Sequence, residues 1–132
     1  MKTLREIAQE ANDIEDEIGL DTDDVLNKLT QEVGEFNDSV QKLRGRYCRK
    51  AGNVEDVRGE LGDLVLNLIS LCHRMGINSD DLPIFAEKTL QKFKDRKEEY
   101  KEFRYNSLVN FITNGHEKGE GHEKGEGNEK KD

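Results

Sequence analysis

Apolar residues recur along the first part of the chain at alternating spacings of three and four, which is the period of an amphipathic α-helix. Two such stripes predict a first helix from Thr3 to about Ile18 and a second from about Thr22 to Leu43. We expect the second stripe to face the core. Its members are Leu26, Leu29, Val33, Phe36, Val40 and Leu43. Gly19 and the acidic segment "DTDD" supply the expected end of one helix and start of the next.

The next apolar pattern predicts a third helix from about Val54 to Met75. Its segment "LVLNLISLC" is apolar nearly all round, so we expect this helix at the centre of a bundle. A fourth helix is predicted from "SDDLP", with Pro83 in its first turn, to about Phe103. No segment alternates with period two. The pattern therefore predicts an all-α, four-helix-bundle-like domain without a sheet.

The composition changes abruptly near the end of the chain. The segment "GHEKGEGHEKGEGNEKKD" repeats Gly, Glu, Lys and His and contains no apolar side chain. Such a segment buries too little surface to offset the entropy lost on ordering, so it predicts a disordered tail. The expected organisation is a folded domain over residues 1–111 and a disordered tail over residues 112–132.

Charge and hydropathy narrow the function classes. The formal net charge is −8, which argues against a nucleic-acid binder because phosphate contacts need clustered Lys and Arg. No stretch is apolar enough to predict a membrane span or the core of a signal peptide. Two cysteines, Cys48 and Cys72, are too few for a disulfide framework, and Cys72 is expected to be a buried free thiol. We therefore expect a cytoplasmic protein that has no membrane partner.

Two acid pairs share one spacing. Glu32 and Glu35 lie in "EVGE" on the second helix, and Glu60 and Asp63 lie in "ELGD" on the third. Residues three apart share a helix face, so antiparallel packing of these helices would bring four carboxylates together. Four negative charges at close quarters require a cation, and oxygen ligands favour Mg²⁺, with Mn²⁺ as a substitute. One such pair alone is more often solvated helix surface, whereas two matched pairs favour a site.

Asn67 and a basic segment after the acids of the second helix each have more than one interpretation. Asn67 follows Asp63 by one turn, and it either contacts a substrate or hydrogen-bonds a neighbouring helix. The basic segment "KLRGRYCRK" follows the second helix. It either closes over phosphates, contacts a partner subunit, or is a solvated loop, and the last interpretation is favoured.

The two acid motifs and a later basic pair together resemble the signature of a known family. "EVGE", a gap of 24 residues, "ELGD", and then Lys92 and Arg96 in "LQKFKDRKEEY" resemble the MazG-like all-α nucleoside triphosphate pyrophosphohydrolases over about residues 26–100. The resemblance implies an Mg²⁺-dependent enzyme that cleaves a nucleoside triphosphate between its α and β phosphates, as part of nucleotide-pool housecleaning. It also implies a homodimer or homotetramer.

The resemblance assigns roles to individual residues. Glu32, Glu35, Glu60 and Asp63 would hold the metal, and one of them would orient or deprotonate the attacking water. Lys92 and Arg96 would bind phosphate. Many family members have an extra acid where this chain has Gln31 and Gly59, which leaves the number of metal ions open. The rival hypotheses are a non-catalytic helical interaction protein and a regulator that senses nucleotide without turnover.

Overall fold

The computed structural model describes residues 1–46 and 51–131, and their side chains as far as residue 114. These residues form five α-helices and one 3₁₀ helix, with no strand among them. The helices are α1 (Leu4–Glu17), α2 (Thr22–Leu43), α3 (Val54–Arg74), a 3₁₀ helix (Ser79–Asp81), α4 (Leu82–Asp95) and α5 (Lys97–Lys131). The predicted all-α fold is confirmed. Cys48 lies outside the described residues, as do the other positions of the basic segment from 47 to 50.

Local capping explains where the long helices begin and end. The Asp21 carboxylate accepts from the backbone N–H of Asp24 at 2.9 Å, and the Asp24 carboxylate accepts from the backbone N–H of Asp21 at 3.0 Å. These two bonds form a capping box at the start of α2. Asn53 caps α3 by accepting from the backbone N–H of Asp56 at 2.8 Å. Gly19 and Gly76 follow α1 and α3 with φ of 84° and 73°, which is the left-handed backbone that favours glycine at a helix end.

The third helix is central within a compact unit that spans Met1–Phe85. It packs against α1, α2 and the 3₁₀ helix. The segment from Ile69 to Cys72 is buried, and Cys72 is a free thiol, as expected. Ser70 lies among these residues and accepts a hydrogen bond from the Asn12 amide of α1 at 2.8 Å. The prediction that α3 occupies the centre is confirmed.

The prediction that the whole apolar stripe of α2 faces the core is wrong. The residues that α2 buries are Val25, Glu32 and Ser39, each seven positions from the last. Leu26 and Val33 of the stripe are about half exposed, at 51% and 50%. Among the described residues α2 packs against α3 only, so a single neighbour covers one narrow line of its surface.

The predicted fourth helix is divided at Arg96 into α4 and α5. Backbone hydrogen bonds nevertheless continue through the division, from Arg96 N–H to Lys92 at 3.2 Å and from Tyr100 N–H to Arg96 at 2.9 Å. The segment Ala86–Asp132 forms the second compact unit. The α5 backbone reaches Lys131, beyond the predicted end of the fourth helix at Phe103. The domain boundary near residue 111 and the disorder of the tail stay predictions.

None of the helices in the described ranges combines the length and hydropathy that crossing a bilayer demands.

Candidate metal centre

The acid pairs meet because α2 and α3 pack antiparallel. The end of α2 contacts the segment before α3, where the Gly52 N–H donates to the Lys42 carbonyl at 3.1 Å. A Cβ at Gly52 would lie 2.9 Å from the backbone nitrogen of Leu43, so only glycine allows this approach. Farther along, Glu32 of α2 lies beside Glu60 and Asp63 of α3. The helices α2 and α3 are therefore antiparallel, which is the arrangement that brings the two acid pairs together.

Three carboxylates form the centre of the cluster. One oxygen from each of Glu32, Glu60 and Asp63 lies within 4.8 Å of the other two. Glu32 is buried, Glu60 is half-buried and Asp63 is exposed. Glu32 Oε2 and Glu60 Oε2 are buried and have no hydrogen-bond partner. A buried acceptor without a partner is costly, and more so when it carries charge. The two orphaned oxygens therefore fit a cation that the three side chains would share.

Glu35, the fourth predicted acid, borders this group without belonging to its three-oxygen core. It is half-buried, and its Oε1 accepts from the Gln31 side chain at 3.0 Å. Its carboxylate is near enough to raise the pKa of both Glu32 and Glu60. All four acids are thus neighbours, with Glu35 at the margin.

The cluster makes negative charge unfavourable at its buried members. Burial is the first cause that raises the pKa of Glu32, followed by charge repulsion from Glu35. The Lys28 ammonium acts in the opposite direction. Burial is also the first cause that raises the pKa of Glu60, with Glu35 and Asp63 as the next two. A cation at the cluster would reverse both effects.

A pocket of about 410 Å³ opens beside the cluster, towards the end of α2. Its volume is in the range of small-molecule sites. Its lining residues are Glu35, Asp38, Ser39, Lys42, Gly52, Glu55, Asp56, Gly59, Glu60 and Asp63. Lys42 is the one cation among these described residues. We call this space the polar pocket.

Sequence reasoning missed several residues of the polar pocket. Ser39 and Lys42 follow Glu35 by four and seven positions, and Asp56 precedes Glu60 by four. Helical spacing therefore places all three on the faces that carry the acids, and this signal was available in the sequence. Lys42 belongs to the basic segment, for which the sequence favours a solvated loop.

The other predicted site residues, Asn67, Lys92 and Arg96, do not belong to the carboxylate cluster. Asn67 is buried, and its Nδ2 donates to the Asp63 carbonyl at 3.2 Å, so the bond that it makes is within α3 rather than to a neighbouring helix. Lys92 of α4 and Arg96 are exposed and belong to the second compact unit. The substrate contact of Asn67 and the phosphate-binding role of Lys92 and Arg96 stay predictions.

The four acids lie in a part of the chain that matches a known protein family. The family model of the MazG nucleotide pyrophosphohydrolase domain matches residues 20–100. The chain belongs to this family. The match begins just before α2, contains the four acids, and reaches into α5. No curated protein and no solved structure matches the chain. The MazG assignment therefore depends on the family model, and the all-helical fold agrees with it.

The raised pKa values predict a pH-dependent stability of the metal-free MazG domain. Because folding raises the pKa of Glu60, the folded state holds its proton more tightly than the unfolded chain does. The group thus favours folding below the ordinary glutamate pKa of about 4.3, and this contribution is lost as the pH rises through the folded-state pKa. Glu60→Gln should therefore raise the melting temperature in EDTA at about pH 7, and the gain should shrink towards about pH 5.

Thermal unfolding in EDTA across this pH range is the measurement. Glu87→Gln, which removes one charge from an exposed position of α4, is the matched control and should leave the melting temperature nearly unchanged. A Glu60→Gln protein that is less stable than the parent at neutral pH would contradict the account of the cluster.

Proposed function

We propose that this MazG domain is an Mg²⁺-dependent nucleoside triphosphate pyrophosphohydrolase. It would cleave ribo- or deoxyribonucleoside triphosphates between the α and β phosphates, releasing the monophosphate and pyrophosphate, and so serve nucleotide-pool housecleaning. One observation carries the proposal: three carboxylates from two helices converge and leave two buried oxygens without partners. The net charge of −8 favours a free nucleotide with its metal over a nucleic acid.

The donor set supports a hard divalent cation. Glu32, Glu60 and Asp63 offer carboxylate oxygens only, which suits Mg²⁺ and its substitute Mn²⁺ better than a metal that prefers nitrogen or sulfur. When bound, such an ion neutralises charge on the phosphates and acidifies water. The three carboxylates would hold it, and two of them, Glu60 and Asp63, also line the polar pocket.

Glu35 is the best candidate for the general base. It lines the polar pocket and lies next to the three-oxygen core without belonging to it, so its carboxylate can accept a proton from the attacking water. The hydrogen bond from Gln31 holds the carboxylate in place. Lys42, from the opposite end of the same pocket, offsets phosphate charge. We assign the same role to Lys92 and Arg96, as the family resemblance implies.

We further propose that the protein is a homodimer or homotetramer. Leu61, Val65 and Leu68 form one stripe along α3 and are 44%, 36% and 42% exposed. Leu26 and Val33 form a second exposed row on α2. Clustered apolar side chains on the surface of a chain this small are typical of a subunit interface.

Leu68→Glu should weaken this assembly, because it places a charge in the apolar stripe. Light scattering coupled to size-exclusion chromatography should give a dimer or tetramer for the parent and a smaller species for the variant. Ala86→Glu adds the same charge at an exposed position of α4 and should leave the assembly intact. A monomeric parent protein would contradict the proposal.

The activity is tested by product analysis with a panel of nucleoside triphosphates and deoxynucleoside triphosphates, in Mg²⁺ and in EDTA. We expect monophosphate and pyrophosphate in Mg²⁺ only. Glu35→Gln should lower kcat by about 10²- to 10⁴-fold, the range for loss of a general base, with the fold retained by circular dichroism. Glu87→Gln should behave like the parent.

Orthophosphate as the product, or turnover that survives EDTA, would contradict the proposed reaction. Metal-dependent nucleotide binding without any turnover would instead favour the nucleotide-sensing regulator. A protein that binds neither metal nor nucleotide would favour the hypothesis of a non-catalytic interaction protein.

A further inference from the structure

A second pocket of about 170 Å³ lies among α1, α2 and α3. Ile14 and Ile18 of α1 and Leu66 of α3 form apolar walls, and Lys28 and Asn67 supply polar groups. Ile14 and Ile18 are 58% and 65% exposed, so the described chain leaves these walls largely uncovered. We call this space the apolar pocket.

The apolar pocket adjoins the metal cluster. Lys28 precedes Glu32 by four residues on α2, and Asn67 follows Asp63 by four on α3. Four residues advance a helix by about 6 Å, so both polar groups stand one turn from the acids. One hydrogen bond makes the link direct, since the Asn67 amide donates to the Asp63 carbonyl.

The polar pocket lies on the other side of the same acids. Ser39 and Lys42 follow Glu32 along α2, whereas Lys28 precedes it. On α3 the order is reversed, with Asp56 before the acids and Asn67 after them. The groove between α2 and α3 therefore contains a polar recess, a carboxylate cluster and an apolar recess, in that order.

This order matches the two ends of a nucleotide. The phosphates carry the charge and need the metal, whereas the base is a flat ring with two apolar faces and a polar edge. A recess with apolar walls and a few polar groups is the usual environment for such a ring. An engineered apolar cavity of about 150 Å³ binds benzene, so the apolar pocket has room for a single six-membered ring.

Few polar groups in the apolar pocket are available to a ligand. Ser70 and Glu15 also line it, but the Ser70 hydroxyl donates to Glu15 and accepts from Asn12, so its one proton is already used. The Glu15 carboxylate also pairs with Arg74 at 3.8 Å. Asn67 donates once, to a backbone carbonyl, which leaves a second N–H and the carbonyl oxygen of its amide. Lys28 is exposed and makes no ion pair within the described residues.

We propose that the apolar pocket is the nucleobase subsite and that it favours pyrimidine over purine nucleoside triphosphates, because its volume holds one six-membered ring and leaves the second ring of a purine outside the apolar walls. Ile18 and Leu66 contact the faces of the ring, Asn67 reads its polar edge, and Lys28 donates to an oxygen of the same nucleotide. This inference rests on the proposed function, because the acid cluster and its metal place the triphosphate.

Steady-state kinetics with pyrimidine and purine triphosphates tests the inference. We expect the parent to favour pyrimidines by about tenfold or more in kcat/KM.

Ala11→Phe fills the pocket from α1 and should raise KM for pyrimidines about tenfold or more. Its kcat should stay within about threefold of the parent's, because the metal cluster is untouched. Lys28→Met, at an exposed position, should raise KM in the same direction. Ala86→Phe is the control, because it makes the same substitution at an exposed position outside the pocket, and its KM and kcat should match those of the parent.

Equal use of purines, or an unchanged KM in both pocket variants, would overturn the inference while leaving the hydrolase intact. A change of oligomeric state in Ala11→Phe without a change of KM would show that a second copy of the chain occupies the pocket, which also overturns it.

A second readout separates this inference from the proposed function. Methyl resonances of Ile14, Ile18 and Leu66 can be followed by NMR while cytidine or adenosine monophosphate is added to the parent with Mg²⁺. Shifts with the cytidine nucleotide alone would uphold the subsite even if the protein hydrolyses no triphosphate. An absence of shifts, or equal shifts with both nucleotides, would overturn it.

Discussion

Repulsion among carboxylates at the α2–α3 contact is the constraint on which the rest of the site depends. Glu32 is one of only three residues that α2 buries, and it faces Glu60 and Asp63 across the helix contact. Burial and mutual repulsion raise the pKa of Glu32 and Glu60, and each has a buried oxygen without a partner. Apolar residues at these positions would give a more stable helix pair. We therefore attribute the arrangement to the proposed cation site rather than to the stability of the fold.

The two recesses that flank the cluster give the groove a direction. Towards the end of α2 the lining is polar and includes Lys42, and towards its start the walls are apolar and come partly from α1. A metal–triphosphate complex has the same polarity, with charge at one end and a ring at the other. Because α2 and α3 are antiparallel, each helix contributes residues to both recesses. Under the proposed function, α2 and α3 held in register would align the metal and the phosphates, and α1 would complete the walls around the base.

Much of the fold could be predicted from the sequence. The three–four spacing of apolar residues placed α1 and α2, and the nearly continuous apolar segment that ends at Cys72 placed α3. The capping groups Asp21 and Asn53 lie where α2 and α3 begin. The convergence of the acid pairs followed from their matched spacing and from one assumption, antiparallel packing, which the structure bears out.

Other features could not be predicted, because a sequence does not state how many neighbours cover each helix. The stripe of α2 was expected to be core, yet Leu26 and Val33 are half exposed because only α3 covers that helix among the described residues. Helical spacing could have found Ser39 and Lys42, since both lie on the face of Glu35. The apolar pocket could not have been found in this way, because Ile18 and Leu66 meet only through the packing of α1 on α3.

Binding of Mn²⁺, followed by electron paramagnetic resonance on the purified protein, tests the central claim most directly. The account predicts saturable binding at the carboxylate cluster, competition by Mg²⁺, and a loss of affinity of about tenfold or more in Glu32→Gln, since one ligand is removed. Binding that is absent, or that is unchanged when Glu32 loses its charge, would contradict the claim that these carboxylates hold a metal.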